Sequence, residues 1–137
     1  MHPILRNTLA VAAGILVGGS VNMGIVMISG SIIPPPDGVD PTNMESIADS
    51  FHLYQPKHFL MPFLAHAIGT LVGAYLTAKI AVTHQLRFAM LVGLFYLIGG
   101  YQMSTLLPAP LWFDILDLSM AYLPMGWLGW KLAEKQN

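Results

Sequence analysis

Four long stretches with scarcely a charge constrain this chain more than any other feature. They cover residues 8–33, 58–78, 88–107 and 111–130; the first three lack Lys, Arg, Asp and Glu, and the fourth carries only Asp114 and Asp117 near its start. About 20 apolar residues, each rising about 1.5 Å, cross the roughly 30 Å hydrocarbon core of a bilayer, so each stretch is long enough to span one. Backbone in hydrocarbon must satisfy its own hydrogen bonds. No stretch alternates apolar and polar residues as a barrel strand would, so the spans are expected as helices. The prediction is an all-α, four-transmembrane-helix bundle forming a single domain over residues 1–137. Arg6 precedes the first stretch, which is too long for the apolar region of a cleaved signal peptide and reads as a signal anchor.

Composition supports this reading. Charged residues make up 9% of the chain, against about 25% in soluble domains, too few to cover a water-facing surface. The bilayer is thus the first expected partner. A net charge of -1 and the lack of any Lys/Arg cluster give no footing for nucleic acid. With no cysteine, disulfides, thiolate metal sites and a cysteine nucleophile are excluded.

If the spans alternate, Arg6, Lys79, Arg87, Lys131 and Lys135 share one side and only Lys57 lies on the other. Positive residues favour the cytoplasmic side, which puts both termini inside. Trp112 then falls at the outer interface and Trp127 and Trp130 at the inner one, as an aromatic belt would place them. The outer loop, 31–57, opens with Pro34-Pro35-Pro36-Asp37-Gly38. Thr42 and Glu45 then have capping-box spacing, and Met44, Ile47, Phe51 and Tyr54 form an apolar stripe. A short amphipathic surface helix is expected there, lying over the bundle and ending at Pro56.

Helices in lipid pack through small residues. Ala10, Gly14 and Gly18 form one ladder; Ala65, Gly69 and Gly73 form another. The two could face each other within the chain, or one could build a homo-oligomer. Gly99-Gly100 and Pro124 are candidate kinks.

Polar residues within spans are costly and so point to function. Asn22, His66, Thr70, Gln102, Asp114, Asp117, Ser119 and Tyr122 all fall in the outer half or near its centre under this topology, a candidate binding pocket. His66 is the sharpest of them: Asp114 or Asp117 could support its ring if their helices are neighbours. A structural hydrogen bond, a proton-handling or small-ligand pocket, and a metal site are the competing readings. Glu45, Asp49 and His52, spaced i, i+4, i+7 with His58 nearby, could hold a divalent metal; the favoured reading is the wet face of a surface helix. No cofactor is favoured. Phosphate-loop, nucleophile-elbow and zincin motifs are lacking.

In size and span number, and in segments such as Pro34–Asp40 and Ala65–Thr70, the chain resembles uncharacterised small four-helix bacterial inner-membrane proteins. The resemblance implies an inner-membrane location and carries no activity or site residue. The leading functional expectation is a non-catalytic membrane bundle, homo-oligomeric or an accessory subunit of an inner-membrane assembly. The alternatives are a small transporter or channel with a pocket around His66, and a metal-dependent enzyme acting on a lipid or quinone.

Overall fold

The computed structural model describes residues 1–136 and is helical throughout its regular structure. Its helices are α1 (Pro3–Ile32), α2 (Met44–Asp49), α3 (Leu60–Ile80), α4 (Gln85–Leu106), α5 (Leu111–Met120) and α6 (Leu123–Lys135), with single 3-10 turns at Phe51–Leu53 and Pro56–Phe59. Three helical segments, Pro3–Ile32, Pro56–Ile80 and Gln85–Leu106, are long and apolar enough to cross a membrane, as a membrane protein requires. Their outward faces carry large apolar side chains: Leu16 is 70% exposed and Met27 76%. Contiguous apolar surface of this kind would be a liability in water and is the ordinary face of a helix toward lipid.

The fourth apolar stretch does not form one helix. It breaks at Ala121–Tyr122 into α5 and α6, neither of which spans a membrane alone by length. Pro124 is the cause. It has no N–H to donate, and its ring would collide with the carbonyl four residues back, so a helix arriving from Leu111 must stop and restart. Pro124 sits instead in the first turn of α6, where the missing donor is not needed. At the other candidate kink, Gly99-Gly100, α4 stays helical through both glycines.

The surface helix is shorter than expected. Asn43 caps α2, its Oδ1 accepting from the N–H groups of Glu45 and Ser46 at 2.9 and 3.1 Å, while the Thr42 hydroxyl donates to Asp40 instead. The six-residue α2 ends at Asp49 and packs mainly on the turn after it. Met44 is exposed, and only the later part of the predicted stripe turns inward, where Phe51 stacks on Tyr54 (5.0 Å) and Phe59 (6.1 Å).

Helix α3 is the hub, packed by α1, α4 and α6. Its buried face is nearly all small: Ala65, Ala67, Gly69, Thr70, Gly73, Ala74, Thr77 and Ala78. The two glycine ladders meet inside the chain. A Cβ at Gly14 would lie 2.5 Å from the Gly73 carbonyl oxygen, and one at Gly18 would lie 2.6 Å from that of Gly69. Backbones so close gain dispersion along their whole length, and the Thr77 hydroxyl adds a hydrogen bond to Ala10 O at 3.1 Å. Gly129 of α6 lies equally close to α3 at Leu71 and Tyr75. At the basic end the chain is clamped: Arg6 Nε donates to Ile80 O at 2.9 Å, Asn7 Nδ2 to Thr83 Oγ1 at 2.7 Å, and Val82 N to Asn7 Oδ1 at 2.9 Å.

Candidate functional site

The break between α5 and α6 sets a polar cluster against α3. His66 Nδ1 lies 2.8 Å from Asp117 Oδ1, and the Tyr122 hydroxyl donates to Asp117 Oδ2 at 2.9 Å. The Tyr122 ring stacks on the imidazole, centroids 5.8 Å apart and planes 26° from parallel. Asp117 is almost wholly buried, with 6% of its side chain exposed, against 29% for His66. A buried carboxylate needs donors, and Asp117 has one on each oxygen. With Asp117 ionised, Nδ1 carries the proton. Nε2 is then an acceptor, and no described protein group bonds to it.

Two cavities flank the imidazole. The first, about 230 Å³, is lined by Asn22, Thr70, Tyr96, Gly99 and Tyr122 along with His66. The second, about 160 Å³, lies toward the loop formed by residues 31–57 and is walled by Phe51, Phe59, Phe113 and Leu118, with Asp114 and Asp117 on its surface. Gly100 and Met103 border both. The non-helical stretch at Ala121–Tyr122 brings Tyr122 into the wall of the first cavity. Gly100 is what makes room, because a Cβ there would sit 2.3 Å from the Tyr122 hydroxyl oxygen.

The candidate residues separate into groups. His66, Asp117 and Tyr122 form the cluster; Asn22, Thr70 and Asp114 line one cavity or the other. The Thr70 hydroxyl is spent on the His66 carbonyl of its own helix at 2.8 Å. Asn22 Oδ1 is buried without a hydrogen-bond partner. Gln102 is exposed and borders neither cavity. The Ser119 hydroxyl bonds back to Ile115 O at 2.6 Å, on an exposed position. Tyr96, Gly100, Met103 and the three phenylalanines were not singled out as pocket residues. The recurrence of Tyr96, Gly100 and Met103 at helical spacing was the available signal.

For metal, the structure corrects the i, i+4, i+7 picture. The helix carrying Glu45 and Asp49 stops before His52, and the His58 Nδ1 is occupied by Gln55 N–H at 2.8 Å. Among the described residues no three His, Asp or Glu side chains gather closely enough to hold an ion.

Compared with known protein families, curated proteins and solved structures, the chain matches none, so what it does must be read from its own geometry.

Proposed function

We propose that this protein is a four-span membrane protein that binds a small ligand at the His66–Asp117–Tyr122 cluster, in the outer half of the bilayer. Helices α5 and α6 serve as the fourth span, a broken one, since their residues at about 1.5 Å each sum to more than the hydrocarbon thickness. The five basic residues at one end of the bundle support cytoplasmic termini, and the resemblance to small bacterial proteins supports the inner membrane.

The observation that carries the reading is the 2.8 Å His66–Asp117 pair on a histidine that borders both cavities. A pair built only to join helices has no need of a cavity on either side of it. Here the carboxylate fixes ring orientation and tautomer, leaving a directed acceptor for a ligand proton. Binding of this kind is also the first step of the transporter alternative.

Mass spectrometry of protein purified from its own membranes in mild detergent tests it. Wild type should carry a small molecule that His66→Ala and His66→Gln lose while helical content and elution volume stay unchanged; Gln retains a donor for Asp117. Identical small-molecule content in all three, or none in wild type, overturns the reading.

A second reading, self-association or service as an accessory subunit, draws on the outer part of α1. There Met23, Val26, Met27 and Ile28 are exposed, and neither Gly24 nor Gly30 has a neighbour within 4 Å of a built Cβ. Blue-native electrophoresis in mild detergent should show more than one chain per particle. A strict monomer that pulls down no partner counts against it.

A further inference from the structure

The second cavity bears on what kind of ligand enters, an inference that rests on the ligand-binding reading above. Its walls are aromatic: Phe59 lies 6.1 Å from Phe51 and 4.8 Å from Phe113, ring centre to ring centre. Its charge is one-sided. Asp114 and Asp117 line it, no lysine or arginine does, and His66 is already committed to Asp117. Asp114 is a half-buried residue whose carboxylate is only partly shielded and makes no hydrogen bond or ion pair with any described residue. A carboxylate facing apolar walls without a counter-charge is costly, and a cation entering the cavity removes that cost. Phenylalanine faces carry the negative side of the ring quadrupole and attract the same cation. An anion meets repulsion from both. A divalent metal is not what the geometry favours, since the described residues provide no three-ligand group.

Size narrows the class further. Apolar cavities of about 150 Å³ accept a molecule the size of benzene, and this one measures about 160 Å³. From these observations we infer that the cavity takes a small arylalkyl ammonium ion, one ring among Phe51, Phe59 and Phe113 with its ammonium group on Asp114.

The test is binding to protein in zwitterionic-lipid nanodiscs, with empty nanodiscs as the partition blank. The probes are benzylammonium, the near-isosteric neutral benzyl alcohol, and the anion phenylacetate. Benzylammonium should bind saturably and about tenfold or more tighter than benzyl alcohol, the usual scale for a charge-assisted hydrogen bond. Phenylacetate should not bind. Asp114→Asn, which keeps side-chain shape, should erase the preference while leaving the His66 ring resonances of the free protein in place. Equal affinity for the alcohol, an unaltered preference in Asp114→Asn, or no saturable benzylammonium binding overturns the inference. If the alcohol binds and shifts the His66 resonances while the ammonium does not, the cation class falls and the ligand site stands. If no probe binds and purified wild type carries no His66-dependent small molecule, both fall.

Discussion

Tyr122 and Asp117 hold the site together, and removing one hydroxyl shows how strongly. Tyr122→Phe keeps the ring against His66 but leaves Asp117 Oδ2, deep in the bundle, without its donor. An unsatisfied buried acceptor costs roughly 1–3 kcal/mol, so thermal unfolding in a fixed detergent should show a clear drop; an unchanged midpoint would mean Asp117 is neutral or hydrated. In the 31–57 loop, the Thr42 hydroxyl at 2.6 Å and its backbone N–H at 2.9 Å both donate to Asp40, holding that carboxyl below the ordinary carboxylate range. A carboxyl with a depressed folded value favours the folded turn above its unfolded value and loses that contribution as pH falls through the folded one. The turn should therefore hold at neutral pH and loosen only in acid, below the usual range. A carboxyl-detected NMR titration checks this, and Thr42→Val should move the Asp40 midpoint upward.

Among the elements, the α1–α3 seam is the least tolerant. Gly73→Ala would push a methyl to 2.6 Å from Gly14 O, whereas Gly24→Ala meets nothing within 4 Å. The first should cost about 1–3 kcal/mol by overpacking; the second should be neutral or favourable by up to about 1 kcal/mol through helix propensity. Paired unfolding measurements decide, and equal effects would contradict the seam. The existence and approximate ends of α1, α3 and α4 were legible because hydrocarbon-length apolar runs leave a chain little choice. The broken fourth stretch was half legible: Pro124 marked a disturbance, but kink or full break depends on whether neighbours receive the freed backbone. Here the space beside Gly100 receives Tyr122. Gln102 was misplaced because each helical residue turns about 100°; one step from Met103 carries it off the stripe shared by Tyr96, Gly100 and Met103.

For the whole molecule, the cysteine-free chain makes orientation simple to examine. A cysteine placed at exposed Asp49 should react with an impermeant maleimide on intact cells, and one at exposed Thr83 only after permeabilisation. The reverse pattern would invert the proposed topology. The Arg6 and Asn7 contacts to the α3–α4 turn predict that Asn7→Ala loosens the basic end alone, seen as faster amide exchange at Val82 with His66 unaffected.

Scarcity of charge and the length of the apolar runs settled from sequence alone that the chain is helical and suited to a membrane, because these are one-dimensional properties summed along the chain. The same reading named Asp114 or Asp117 as a possible support for His66, and Tyr122 only as a further polar residue. Their meeting was decided by the tertiary structure: α3 lies at the centre with α6 against it, and the break before Pro124 swings Tyr122 onto the imidazole. Helix order depends on how backbones come close at Gly14, Gly18, Gly69, Gly73 and Gly129, and those contacts join residues that sequence spacing keeps far apart.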